Sequence, residues 1–275
     1  MRYKYLLLLI MPVVLFSCKK EKDTINSPMP PPGPTSPAGL IKDIVIAHLP
    51  SPYYHFEYDA MGRVNFVSFA SDLNRYNVLY NGERITEMQN NIFVNKDRLQ
   101  YMYDNEGKVF LIQYIDSTGT VFARSFFSYE QEKLVEIERL HEEPGGFIID
   151  RTIKMTYNAD GNLEELTDHR PAMNGQNETT SVDRFEQYDN KINVDGFSLL
   201  HPDFFEHLFL LPGVQLQKNN PGKETLTGDG INLKVNNTYT YNDKNLPLIK
   251  ASEITITNGA DSGTVVHGNT MYSYY

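Results

Sequence analysis

The amino-acid sequence predicts an all-β fold: an antiparallel up-and-down meander of hairpins, curled into a barrel-like sheet, with one short helical insertion. Three observations carry this. Apolar residues alternate with polar ones from Leu40 onward. One turn formula returns at intervals of a hairpin's length. Tyr (18 residues) and Phe (15 residues) are abundant, which suits a half-buried pleated surface.

The alternation is explicit. Tyr54, Phe56 and Tyr58 share one face, with His55, Glu57 and Asp59 on the other. Ile153, Met155 and Tyr157 alternate with Lys154 and Thr156, and Ile254 and Ile256 with Thr255 and Thr257. A period of two is that of a strand with one buried face.

The turn formula reads Tyr58-Asp59-Ala60-Met61-Gly62-Arg63-Val64, then Tyr103-Asp104-Asn105-Glu106-Gly107-Lys108-Val109, then Tyr157-Asn158-Ala159-Asp160-Gly161-Asn162-Leu163. Asp or Asn at the first turn position accepts a bond from the backbone two residues on, and Gly takes the left-handed conformation. This predicts a type I turn closing into a bulged hairpin. Asp116-Ser117-Thr118-Gly119 repeats the chemistry, and Tyr80-Asn81-Gly82-Glu83 predicts a two-residue Asn-Gly turn. Weaker copies start at Tyr129 and Tyr241. Asn245 can replace Gly in the second, whereas the first has no such residue and must turn differently. Tyrosines 58, 80, 103, 129 and 157 are spaced by 22, 23, 26 and 28 residues, each interval holding two strands and two turns.

The Tyr-Asp-x-x-Gly units resemble the YD repeats of Rhs-type proteins. A longer resemblance rests on Tyr188-Asp189-Asn190-Lys191, Leu210-Leu211, Asn219-Asn220-Pro221 with Lys223, and Tyr239-Thr240-Tyr241-Asn242-Asp243-Lys244. These follow one another as in a family of uncharacterised bacterial lipoproteins, a domain of unknown function with a porin-like fold. Ile192-Asn193-Val194 departs from it, standing where Asn-Pro-Phe is expected. The resemblance covers most of residues 40–275. It implies a curled β-sheet and an envelope location, and no activity.

Residues 189–220 interrupt the hairpin rhythm. His201 to Leu211 reads as a short helix, with Pro202 at its first position and Pro212-Gly213 as the stop. Phe204, Leu208 and Leu211 would share a face. The expectation is a plug over one open end of the sheet, with a partner-binding helix as the alternative.

Ahead of the domain, residues 1–17 read as a signal peptide. Arg2 and Lys4 precede an apolar run from Leu6 to Phe16 that is too short to span a bilayer comfortably. Leu15-Phe16-Ser17-Cys18 resembles the bacterial lipobox, which implies cleavage after Ser17 and acylation (palmitate among the chains) of Cys18; ordinary secretion is the alternative. Several acyl chains anchor a protein durably where one does not. Residues 18–39 then form a tether. Six of the ten residues from Pro28 to Pro37 are proline, a composition that stays extended. At ~3.1 Å per residue, about 20 residues reach about 60 Å. Residues 40–275 form a single β-meander domain. Lys19 follows the cysteine, which by analogy favours the cell outer membrane.

The formal net charge is −10, and the loss of Arg2 and Lys4 makes the remainder more negative. Phosphate backbones and anionic headgroups repel such a chain, so nucleic acid is not an expected partner and membrane attachment falls to Cys18. Phosphate-binding loops, paired-Cys metal sites and nucleophile elbows do not occur, so no cofactor and no enzymatic activity are expected. The densest set of ligand types is His201, Asp203, Glu206 and His207, with the histidines on different helix faces. Glu142-Glu143 and Glu164-Glu165 read as solvated, and Asp59, Asp104 and Asn158 offer too few oxygens for calcium. The repeated tyrosines read as packing rather than as a sugar-stacking surface.

The expected role is a non-enzymatic interaction or scaffold module of the envelope, with an envelope protein as partner. The alternative is a glycan- or peptide-binding surface protein. A transmembrane barrel would need lipid-facing apolar bands. Glu136, Glu138, Arg139 and Lys154 along the strands count against it, and a hydrolase would need a carboxylate pair in a cleft.

Overall fold

The computed structural model describes residues 39–92, 96–173, 175–194, 210, 211 and 213–275. They lie in the second of the two units into which the chain divides, residues 35–275. The strands are β1 (Ile41–Ile46), β2 (Tyr54–Tyr58), β3 (Val64–Phe69), β4 (Asn74–Asn81), β5 (Arg84–Asn90), β6 (Arg98–Tyr103), β7 (Val109–Ile115) and β8 (Val121–Glu130). The meander continues through β9 (Lys133–Glu143), β10 (Gly146–Tyr157), β11 (Leu163–Arg170), β12 (Thr179–Tyr188), β13 (Pro221–Gly228), β14 (Leu233–Tyr241), β15 (Pro247–Ile256) and β16 (Val265–Tyr274). Each strand pairs with its sequence neighbours, and β1 pairs with β16, so the sheet closes into a 16-strand antiparallel barrel. The seam is asymmetric: β1 matches β16 from Ile41↔Tyr274 to Ile46↔Thr270 but meets β2 only at Asp43↔His55 and Ile44↔Tyr54.

The predicted turns form as their chemistry dictates. Asp59 Oδ1 accepts the Met61 and Arg63 amides at 2.9 and 3.0 Å, and Asp104, Asp116, Asn158 and Asn242 do the same two and four residues on. Gly62, Gly107, Gly119 and Gly161 have φ of 78° to 91°, and Asn245 takes their place at 61°. The Tyr129 hairpin does differ: Gln131 and Glu132 both adopt left-handed φ, 45° and 68°. One prediction shifts by a residue. Asn81 pairs with Arg84, so the two-residue turn is Gly82-Glu83 rather than Asn81-Gly82. That register sets Tyr80 opposite Ile85, matching the Tyr–aliphatic pairs Tyr58↔Val64 and Tyr103↔Val109. At six such pairs the outgoing strand carries a bulge, which tightens the local twist.

The tyrosines join the hairpins into a girdle at this end. Tyr80 Oη donates to Val64 O, Tyr103 to Ile85 O, and Tyr129 to Val109 O, each at 2.9 Å. Tyr157, Tyr188, Tyr239 and Tyr274 continue the series onto Leu134, Leu163, Pro221 and Pro247. Each hydroxyl thus reaches the aliphatic residue that opens the return strand of the preceding hairpin. Arg63, Arg84, Lys108 and Lys133 lie over the rings of Tyr80, Tyr103, Tyr129 and Tyr157 at 4.2 to 5.6 Å. Burial pushes the Tyr80 and Tyr129 hydroxyls up to about 12, so they stay protonated donors. Tyr275 closes the ring across the seam, bonding Phe56 O at 3.0 Å and meeting Tyr58 edge-on.

Inside the barrel, β1–β11 carry most of the core, joined by Phe185 of β12 and Tyr272 of β16. Ile44, Tyr54, Phe56, Val67, Phe69, Tyr76, Met88, Leu99, Ile112 and Met155 are buried. A 16-strand barrel is too wide for wall side chains alone to fill. Leu210, Leu211 and Leu216 of the 189–220 insertion join the same cluster, and the Leu210 amide donates to Tyr101 Oη at 3.1 Å. This fits the plug. The helix expected over 201–211 falls on residues 201–209, which lie outside the described residues.

The outer wall carries ion pairs between neighbouring strands, with exposed apolar side chains such as Leu79, Ile249 and Met271 among them. Glu136 faces Lys154 at 3.6 Å, Glu165 faces Arg184 at 2.8 Å, and Glu186 faces Lys223 at 2.5 Å. Lys234, Asn236, Thr238 and Thr240 form the outer face of β14, with Asn236 and Thr240 exposed.

Candidate functional site

The lipidation residue Cys18 and the cluster His201, Asp203, Glu206 and His207 lie outside the described residues. The turn residues Asp59, Asp104 and Asn158 point Oδ1 at backbone amides, which fixes their role as turn formers. Of the adjacent carboxylates, Glu143 bonds His141 Nε2 at 2.9 Å and Glu165 bonds Arg184 Nε at 2.8 Å, so these two are paired rather than merely solvated. Glu142 and Glu164 are exposed as expected.

Residue types suited to nucleophilic catalysis meet at the seam, in the wrong order. Ser273 Oγ donates to Asp43 Oδ2 at 2.9 Å, and His55 Nδ1 lies 2.6 Å from Asp43 Oδ1. A serine nucleophile must pass its proton to the histidine. Here the carboxylate sits between the two and ties β1 to both neighbours.

On the outer wall a groove of about 410 Å³ runs over β9–β12. Within it Glu136 is paired with Lys154, and His169 Nδ1 lies 3.1 Å from Thr180 Oγ1.

The inner wall holds two kinds of charge. Over β9–β11, away from the girdle, charges are matched. Arg139 Nε bonds both oxygens of Asp150 at 3.0 Å, with His141 Nδ1 3.3 Å from the same carboxylate. Arg151, only 2% exposed, bonds Asp168 through Nε and Nη2 at 2.8 and 2.9 Å. Such pairs repay desolvation through bidentate geometry.

Over β12–β16 the pattern changes. Register places two rows across the inner face, Leu166–Asp183–Leu226–Leu233–Ile256 and Phe185–Glu224–Val235–Ile254–Val266. Each is apolar except for one carboxylate. Glu224 Oε1 accepts a 2.8 Å bond from Asn237, whose Oδ1 accepts Ser252 Oγ at 2.6 Å. Asp183 Oδ1 is closed off from solvent without a hydrogen-bond partner, and burial, then the Glu224 charge, raises its carboxyl to about 7. Neither carboxylate has a cationic partner among the described residues. The aliphatic residues of these rows are only half-buried, and Val266 near the rim is 46% exposed. This open inner wall is the candidate site. Sequence reading missed it because the 189–220 insertion separates the two carboxylates and hides their pairing.

No protein-family model matches the chain, and no curated protein matches it. Solved structures do. A porin-like protein from Bacteroides uniformis is 13% identical, with a TM-score of 0.56 over 81% of this chain and 89% of that one. A porin-like protein from Bacteroides vulgatus is 14% identical, with a TM-score of 0.57 over 86% of this chain and 99% of that one. What this chain shares with them is the porin-like fold, an antiparallel barrel.

Proposed function

We propose that this chain is a lipid-anchored protein of the bacterial outer membrane whose barrel stands in water and serves as a non-enzymatic interaction module. The observation that carries this reading is the polarity of the two barrel faces. Aromatic and aliphatic side chains fill the inside of β1–β11, whereas the outside of β9–β13 carries ion pairs such as Glu165–Arg184 and Glu186–Lys223, and apolar side chains such as Leu79, Ile249 and Met271 are scattered among polar ones. A barrel immersed in lipid needs the opposite arrangement, and a charge on its lipid face costs about 2–4 kcal/mol at mid-bilayer. A water-facing barrel reaches the membrane by another route, which the lipobox-like Leu15–Cys18 supplies.

The reading as a non-enzymatic module is supported by the fate of the reactive side chains. The Asp43–His55–Ser273 and Arg151–Asp168 groups are engaged in joining strands. Among binding roles the peptide alternative gains from the open inner wall, while Tyr80, Tyr103, Tyr129 and Tyr157 of the girdle each have one ring face under a cation, which leaves less room for sugars to stack.

Metabolic labelling with an alkyne-bearing palmitate, followed by carbonate extraction of membranes, tests this. The native chain should carry the label and remain with membranes, and Cys18→Ala should lose the label and leave them. A Cys18→Ala chain that resists extraction would mean that the barrel itself is inserted in the bilayer.

A further inference from the structure

We infer that the open inner wall of β12–β16 is a docking trough for a cationic amphipathic polypeptide segment. Its aliphatic side chains would lie along the Leu226–Ile256 and Val235–Val266 rows, and its Lys or Arg would reach Asp183 and Glu224. This rests on the reading of the chain as an interaction module and names the chemistry of its partner.

The argument is one of complementarity. An inward carboxylate is expensive to desolvate unless a cation accompanies it. The same barrel meets that requirement elsewhere, with Arg139 for Asp150 and Arg151 for Asp168. Asp183 and Glu224 are left without a cation among the described residues, and Asp183 Oδ1 without any hydrogen-bond donor. A folded protein retains such a cost where binding uses it. A bare inorganic cation would satisfy the charge but leave the half-exposed Leu226, Leu233, Val235 and Ile254 facing water. A fatty chain would satisfy the rows but not the carboxylates. Side chains of Lys and Arg on an apolar segment satisfy both, because they pair an aliphatic stem with a cationic head.

Two further observations fit this occupant. The rim of the open half carries exposed Glu178, Asp229 and Asp261, and the chain is at −10 overall, so a basic segment is drawn in and anionic lipids or glycans are repelled. Ile231 and Val266 at the same rim are 63% and 46% exposed, which extends the apolar surface outward. The rows lie toward the end opposite the girdle, whereas Leu40 lies at the girdle end, where its carbonyl accepts the Tyr275 amide.

Calorimetric titration of the full chain in detergent tests the inference, with a short peptide of alternating Lys and Leu as the probe. Its Glu-Leu counterpart and an alternating Lys-Gly peptide serve as controls. Saturable binding is expected for Lys-Leu alone. The double variant Asp183→Asn/Glu224→Gln should weaken it at least about tenfold, and Val266→Asn should weaken it without altering the fold. Glu136→Gln/Glu138→Gln on the outer wall should leave it unchanged. Absence of saturable Lys-Leu binding, equal affinity for either control peptide, or equal weakening by the outer-wall variant would each overturn the trough. Palmitate labelling of Cys18 is read separately, so anchoring and docking stand or fall independently.

Discussion

The two parts of the barrel wall use the same strands and turns for opposite ends. Over β1–β11 the inward face is closed: Phe56, Val67, Tyr76 and Leu99 have no exposure, and inward charges come in matched pairs. Over β13–β15 it is more open: these strands contribute no fully buried aliphatic or aromatic side chain to the core among the described residues, while Phe185 of β12 and Tyr272 of β16 are buried at either side. The girdle holds the open strands as it holds the closed ones, since Tyr188, Tyr239 and Tyr274 make the same bond as Tyr80 and Tyr103. Stability resides in one region, leaving the other free to keep carboxylates that stability alone would remove.

The sharpest way to break this contrast is truncation of one side chain in each region. Phe56→Ala should cost about 3–5 kcal/mol in urea unfolding, as expected of a large buried ring. Val235→Ala, with its side chain already half-wet, should cost about 1 kcal/mol or less. Equal losses would mean that the two regions pack alike. Arg151→Met comes next. It takes the bidentate partner from Asp168 at a site that is 2% exposed and leaves it Arg170 at 3.5 Å, and a loss of about 3 kcal/mol is expected. Adding Asp168→Leu should restore most of the loss, since the pair matters chiefly because each partner is buried.

Asp183 should behave in the opposite sense. Its folded carboxyl titrates near 7, above the ordinary 3.8, so the native state holds the proton more tightly than the unfolded chain between those values. Stability then falls as pH rises through that window, and the full cost is present above it. Asp183→Asn should raise stability by about 1–3 kcal/mol at pH near 8, with the gain fading toward pH 4. Melting curves of both proteins across pH measure this, and a pH-independent gain would remove the role of the carboxylate. The smallest effect is expected from Tyr129→Phe, which deletes one girdle bond and leaves its ring under Lys108. About 1 kcal/mol should be lost, with no change in Lys-Leu peptide binding.

Most of the fold was legible because its instructions are local. Asp59, Asp104 and Asn158 with their glycines specify a turn within a handful of residues, and the period-two pattern specifies which side chains share a face. Asn81-Gly82 misled by one residue because that pair is the usual hairpin signal, whereas the observed register keeps Tyr80 opposite Ile85. The girdle had a sequence signal that was not used: the basic residue after the turn glycine, Arg63 or Lys108, recurs at fixed distance from an aliphatic residue. Its partner is the next hairpin's tyrosine, a contact that no single motif reveals. The trough was illegible for a different reason. In β12, Ser181, Asp183 and Phe185 alternate with Val182, Arg184 and Glu186, so neither face is clearly apolar, and only pairing with β13 shows which one turns inward.

The girdle bonds all point one way along the chain. Each tyrosine reaches back to a hairpin already made, from Tyr80 to Val64 through to Tyr274 to Pro247. A hairpin can therefore lock onto the one before it with nothing downstream required. Tyr58 has no predecessor, and its ring meets Tyr275 of the closing strand. Assembly becomes a sequence of one-way latches whose final click waits for the seam.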